Sequence, residues 1–175
     1  EDVVYKTLEF IQEIDSDKIV NLSDELAIRY TDAGHILLSK QCEVYINGGS
    51  HTRKILFSSD LGNIATQDTR VFVEDFKPVS SANIAIMECT YCSKERQCTK
   101  ETYKKDVEKI KSVIEQYCVD NNARVLIPSF SLDRTPYILW ILYSLFGKDE
   151  NFKVPVLIDS PLANRLLDCY SSIIE

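Results

Sequence analysis

No window of this 175-residue chain is long and apolar enough to span a membrane. Glu1-Asp2 is acidic and no apolar run follows it, so no signal peptide is expected; the lack of an initiator Met fits a chain cut from something longer. The basic excess of a freestanding nucleic-acid binder is missing too, since 20 Lys and Arg stand against 27 Asp and Glu, a net charge of −7. That balance leaves a metal-dependent nuclease open, because metal ions can supply the positive charge at a phosphate. There is no internal repeat and no low-complexity segment. What is there suits a folded domain: 45% apolar residues supply a core, and the length fits one domain or two halves sharing a sheet. Six cysteines (Cys42, Cys89, Cys92, Cys98, Cys118, Cys169) are spread through core-like segments of a chain too long to need staples. Reduced thiols and a cytoplasmic location are therefore expected.

Along the chain, Val4, Leu8, Ile11 and Ile14 recur at helical spacing and predict a short helix over residues 1–18. Ile19–Leu22 and Leu26–Tyr30 read as strands around a Ser23-Asp24 turn. Cys42–Ile46 alternates, Gly48-Gly49-Ser50 turns, and Lys54–Phe57 runs back, which is hairpin grammar. Around Ile84 the grammar changes. Three short apolar runs, Ile84–Met87, Val125–Ile127 and Val156–Ile158, each precede a helical segment, near 100–118, near 133–146 and from Pro161 onward. The first of these helices carries Tyr103, Val107, Ile110, Ile114 and Tyr117 as one stripe, and the second has Pro136 in its first turn, where no backbone donor is lost. Apolar strands alternating with helices predict a parallel sheet, so the fold class is α/β.

Ligands gather at the carboxyl ends of parallel strands. Here those ends carry Ser58-Ser59-Asp60, Glu88, Ser129 and Asp159-Ser160. One polar edge forming a site is one reading; polar turn and cap residues in ordinary loops are the other. His35 follows Ala33-Gly34, where the backbone can turn sharply and present an imidazole; it reads either as a zinc ligand or as a hydrogen-bonded loop histidine. Asp60 reads either as a carboxylate able to bridge two metals or as a turn residue ahead of Gly62. Cys89-x-x-Cys92, with Cys98 nearby in sequence, admits a zinc, redox or incidental reading. His51 belongs to a hairpin tip and is expected in solvent. The basic run from Lys94 to Lys111 is interleaved with Glu95, Glu101, Asp106 and Glu108, so a solvated helix face fits better than a strip for RNA.

Several ordered stretches resemble one family. Asp32–Lys40 is similar to Asp-Ala-Gly-His-Ile-Leu-Gly-Ser-Ala, and Phe57–Gly62 to Phe-Ser-Gly-Asp-Leu-Gly. The stretch from Glu88 is similar to Glu-Ser-Thr-Tyr-Gly-Asp, Leu126–Arg134 to Ile-Pro-Ala-Phe-Ala-Val-Gly-Arg, and Val156–Ala163 to Val-Asp-Ser-Pro-Leu-Ala. In this order they resemble the β-CASP branch of the metallo-β-lactamase-fold nucleases, over nearly the whole chain. The departures are Leu38, Ser59 and Asp133 where glycine is usual, Lys40 where a small residue is usual, Cys92-Ser93 for Gly-Asp, and Pro136 for Gln. A Leu for Gly beside the His35 loop is expected to force a different backbone path.

The resemblance implies an architecture and a chemistry. Residues 1–97 would be the later part of a metallo-β-lactamase (αββα) domain, and 98–175 the start of a β-CASP parallel-sheet domain. The implied activity is zinc-dependent hydrolysis of RNA phosphodiester bonds, with His35 as a terminal metal ligand, Asp60 as the bridging carboxylate and Glu88 as a catalytic carboxylate beside the metals. Ser129, Asp159 and Ser160 would line the cleft near the phosphate. Two zinc ions are expected in the full-length parent and an incomplete site in this chain, because the family's His-x-His-x-Asp-His cluster does not occur in it. The isolated chain is expected to be inactive. RNA, with DNA as the alternative, would bind through the parent, a homodimer is a further expectation, and no membrane is involved. Two other classes stay open: a non-catalytic β-CASP-like scaffold in a processing complex, and a cysteine-held zinc or redox module.

Overall fold

The computed structural model describes residues 2–62, 72–93 and 99–174. The chain divides into two compact units, Glu1–Ile64 with Phe72–Glu95, and Ala65–Val71 with Arg96–Glu175.

The first unit is a five-stranded mixed sheet in sequential order: β1 (Val20–Asn21), β2 (Leu26–Asp32), β3 (Lys40–Gly48), β4 (His51–Phe57) and β5 (Ile84–Ile86). The first four strands pair antiparallel, and β5 adds to β4 in parallel, with Ile55 opposite Ile84 and Phe57 opposite Ile86. The expected hairpin is there. Gly48 pairs with His51, which leaves Gly49-Ser50 as a two-residue connection. Gly49 sits at φ +70°, the left-handed value such turns favour. His51 is exposed beside it, as expected.

Register sorts the strand residues onto two unlike faces. One carries Ala27, Arg29, Gln41, Glu43, Tyr45, Lys54 and Leu56, and it is the buried one. Its centre is Glu43, 0% exposed, whose carboxylate accepts from Arg29 at 2.7 Å, Lys54 at 2.9 Å and the Tyr45 hydroxyl at 3.0 Å. Burial pushes this carboxyl upward, but the hydrogen bonds from Lys54, Arg29 and Tyr45 outweigh it and hold Glu43 below the usual carboxylate range. The other face carries Ile28, Tyr30, Cys42, Val44, Ile55, Phe57, Ile84 and Ile86. It is apolar, half-buried at Ile28, Tyr30, Cys42, Val44 and Ile55 and open at its β4–β5 end, where Ile84 is 54% and Ile86 53% exposed.

The N-terminal helix differs from the expectation over 1–18. The observed α1 covers Asp2–Leu8, and Val3, Val4, Leu8 and Ile11 are exposed. A seven-residue helix holding three β-branched residues has only local propensity to rely on when its apolar stripe finds no cover, and it stays short.

The second unit is helical. Its first helix, α2 (Lys100–Ile114), starts at a capping box: the Thr99 hydroxyl accepts from Thr102 N–H at 3.2 Å, and the Thr102 hydroxyl accepts from Thr99 N–H at 2.9 Å. The expected stripe is half-buried at Tyr103, Val107 and Ile110 and buried at Ile114, but it lapses at Tyr117. There the chain passes into a π-helical segment, Glu115–Asp120, whose wider turn rotates the stripe away. Next come α3 (Arg134–Phe146), with Pro136 in its first turn, and α4 (Pro161–Ile174). The two expected parallel strands of this half are a correction. Residues 125–127 and 156–158 carry no strand ladder, and Leu126 and Leu157 are 90% and 87% exposed. A strand exists only through a neighbour's hydrogen bonds, and among the described residues neither run has one. Among the described residues the chain is therefore α/β through one mixed sheet and four α-helices, with parallel pairing confined to β4 and β5.

Candidate functional site

The two parallel strands, β4 and β5, end side by side and open into a cleft of about 500 Å³ on the apolar face of the sheet. Lys40, Ser58, Ser59, Asp60 and Glu88 line its polar side, and Phe57, Ile86 and Met87 its apolar side. The loops after the two strands are stitched together. Ser58 N–H donates to the Ile86 carbonyl at 3.0 Å, and the Ser58 hydroxyl accepts from Glu88 N–H at 3.0 Å. Glu88 then reaches back across the gap, its Oε1 accepting from Leu61 N–H at 2.7 Å and its Oε2 from Thr90 N–H at 3.4 Å. Hydrogen bonding from the Thr90 side chain, then from Leu61 N–H, holds the Glu88 carboxyl below the usual carboxylate range, with a smaller contribution from the charge of His35. Glu88 is ionised at neutral pH and fixes the loop that carries Asp60.

His35 lies half-buried in the loop between β2 and β3. Ser39 shapes that loop, its hydroxyl accepting from His35 N–H at 3.0 Å and Ile36 N–H at 3.1 Å, while Ala33 N–H donates to the Ser39 carbonyl at 2.9 Å. Two glycines then bring this loop against the Asp60 loop. Gly62 N–H donates to the Ala33 carbonyl at 2.9 Å, and a Cβ on Gly62 would fall 1.5 Å from the Gly34 carbonyl oxygen. Gly34 itself takes φ +66°, with Phe76 Cβ 2.9 Å from where its own Cβ would be. Only glycine permits an approach this close. The sequence candidates His35, Asp60 and Glu88 thus sit on neighbouring loops, with Asp60 and Glu88 in one cleft. Among the described residues, however, no three His, Cys, Asp or Glu side chains come together as a metal site. The donors among the described residues do not by themselves complete a zinc centre.

No protein-family model matches the chain. It is similar to a protein of Thermus thermophilus named ribonuclease TTHA0252, 26% identical over 150 residues that cover 86% of this chain and 31% of the relative. It is also similar to the transcription termination factor FttA of Methanosarcina mazei, 24% identical over 157 residues, 90% of this chain and 23% of that protein. Both likenesses support the β-CASP resemblance. The chain spans less than a third of the length of either relative.

The departures from the β-CASP motifs take on a common meaning in the structure. Leu38, Ser59 and Asp133, the three positions where glycine is usual, all adopt positive φ, at 62°, 55° and 62°. At each of the three the side chain is carried at the positive φ that glycine favours, at a cost of about 1–2 kcal/mol. At Asp133, with ψ −52°, Arg134 N–H bonds to the Leu132 carbonyl at 2.7 Å, closing a γ-turn of the strained hand just ahead of α3. Lys40, another departure, bonds to the buried carboxylate of Asp32, which Lys77 holds from the other side at 2.8 Å while also bonding Asp17 at 2.6 Å. Burial pushes the Asp32 carboxyl up, but the Lys40 and Lys77 hydrogen bonds outweigh it and hold it below the usual range. Asp32 is thus committed to its lysines. Lys77 has no motif around it, and nothing in the sequence points to it.

The remaining candidates belong to the second unit. Ser129 and Asp159 are exposed, and Ser160 is half-buried. The Ser160 hydroxyl caps α4 by accepting from Ala163 N–H at 3.1 Å and lies 3.2 Å from the Ser131 hydroxyl, so the motifs around Ser129 and Asp159 meet through those two serines. Of the cysteines, Cys89 and Cys92 are exposed with their sulfurs 2.6 Å apart, and Cys98 lies outside the described residues. On α2, Lys105 pairs with Glu101 at 2.9 Å and Lys111 with Glu115 at 3.6 Å, as a solvated charged face does.

Proposed function

We propose that this chain is part of a β-CASP-type nuclease that hydrolyses phosphodiester bonds of RNA in the cytoplasm. Residues 1–97 would contribute the later part of its metallo-β-lactamase domain and residues 98–175 the start of its β-CASP domain. One observation carries the reading: Glu88 bonds the backbone beside Asp60 within a single cleft, and the Gly34–Gly62 contact holds the His35 loop against it. The relatives' names, a ribonuclease and a transcription termination factor, point the same way. In this reading His35 and Asp60 each give one ligand to a two-zinc centre whose other ligands come from the rest of the parent, and zinc supplies charge at the phosphate. Glu88 fixes the Asp60 loop and presents an ionised carboxylate to the cleft. Ser129, Asp159 and Ser160 contact the phosphate backbone.

The test uses the parent protein extended in both directions, beside this chain alone. The parent is expected to hold about two zinc ions and to cut RNA. His35→Ala or Asp60→Ala should abolish both, and Glu88→Gln should slow cutting by about 10- to 100-fold. A parent that binds no metal and leaves RNA and DNA intact would overturn the nuclease reading and make the protein a scaffold built on a nuclease fold.

A further inference from the structure

Cys89 and Cys92 have no part in the roles given to His35, Asp60 and Glu88, yet their sulfurs stand 2.6 Å apart at the surface. No third donor joins the pair among the described residues, and Cys98, the next thiol in sequence, lies outside them. Disulfide-transfer catalysis does not explain the pair. Oxidoreductase pairs gain reactivity from the field at a helix N-terminus, whereas residues 90–93 form a turn. The hydrogen bond to Cys92 also pushes the Cys89 thiol above its usual value. What the geometry offers is two sulfurs already side by side, placed to bond to each other.

Its position gives oxidation somewhere to act. Thr90, between the two cysteines, donates its N–H to Glu88 at 3.4 Å, and Glu88 holds Leu61 N–H at 2.7 Å, next to Asp60. A covalent link from residue 89 to residue 92 would close the turn that contains Thr90 and so steady the carboxylate that anchors the Asp60 loop.

We propose that Cys89 and Cys92 are a modification site: they form a reversible intrachain disulfide by exchange with a small-molecule disulfide, and the closed form tightens the hold of Glu88 on the Asp60–Leu61 loop. The chemistry balances. One cysteine thiolate attacks oxidised glutathione, forming a mixed disulfide and releasing one glutathione thiolate. The second cysteine, deprotonated, attacks the first cysteine's sulfur and releases the other glutathione. Two electrons pass from the protein to the glutathione pair, and the two cysteine protons end on the two glutathione thiols or in solvent. None of this depends on what the cleft cuts.

The experiment equilibrates the purified protein in glutathione buffers from mostly reduced to mostly oxidised, quenches with acid, alkylates the free thiols and maps peptides by mass. Cys89 and Cys92 are expected to lose two hydrogens together with no lasting adduct, whereas Cys92→Ser keeps glutathione on Cys89. Hydrogen exchange at the Leu61 amide is expected to slow severalfold in the oxidised protein and not in Cys92→Ser. Separate alkylation of both cysteines in the most oxidising buffer, or linkage of either to another cysteine, would overturn the pairing. A Cys89–Cys92 disulfide that leaves Leu61 exchange unchanged would overturn the link to the Asp60 loop.

Discussion

The two faces of the first unit's sheet invert the usual expectation. The polar face, centred on Glu43, is the buried one, and the apolar face around Ile84 and Ile86 is open. The polar face tolerates burial because its charges are saturated. Glu43 receives Arg29, Lys54 and Tyr45, and the Lys54 ammonium also lies 5.9 Å from the Tyr45 ring centroid. The apolar face carries the cleft at its β4–β5 end, so Phe57, Ile86 and Met87 give that cleft an apolar wall opposite Asp60 and Glu88. An apolar wall with a few placed polar groups is the general make-up of a ligand site. Burial here follows the completeness of pairing, and openness follows the location of the site.

The largest blow to this contrast should come from Glu43→Ala, which leaves Arg29 and Lys54 without their shared carboxylate. A loss of about 3 kcal/mol in unfolding free energy is expected in a denaturant titration. The same group makes the wild type acid-sensitive. Because its folded pKa is lowered, its stabilisation is fully present above the ordinary carboxylate pKa of about 4.3 and is lost as pH falls through the lower folded value. The Glu43→Ala protein should show a flatter stability profile over that acid range. Tyr45→Phe removes one of the three donors and should cost about 1 kcal/mol by the same titration, with Arg29 and Lys54 still in place. Smallest is Ile86→Ser on the open face, expected to change stability by no more than about 0.5 kcal/mol. A large loss there would show that the apolar face is covered in solution and would collapse the contrast.

How far the sequence could be read follows the same line. The β3–β4 hairpin was legible because alternation and the Gly48-Gly49-Ser50 turn are both local signals. So were the three later helices, the first through its apolar stripe and the others through Pro136 and Pro161 in their opening turns. Alternation shows that Glu43 and Val44 lie on opposite faces, but not which face is covered, because cover depends on partners distant in sequence. For the same reason the runs 125–127 and 156–158 read as strands: an apolar run carries no information about whether a neighbour exists. Strand ends marked Asp60 and Glu88 and a glycine turn marked His35, but each kept a bland reading beside the functional one, and only the motif resemblance favoured the site. Their connections, Glu88 to Leu61 and Gly34 to Gly62, span 27 and 28 residues and leave no trace in local pattern.

The left-handed residues Leu38, Ser59 and Asp133 also mark where the chain is open to repair. A side chain held at positive φ carries strain that glycine does not. Glycine at Leu38 or Ser59 would remove that strain without asking the backbone for a new path, which makes these positions the natural first choices for raising heat tolerance.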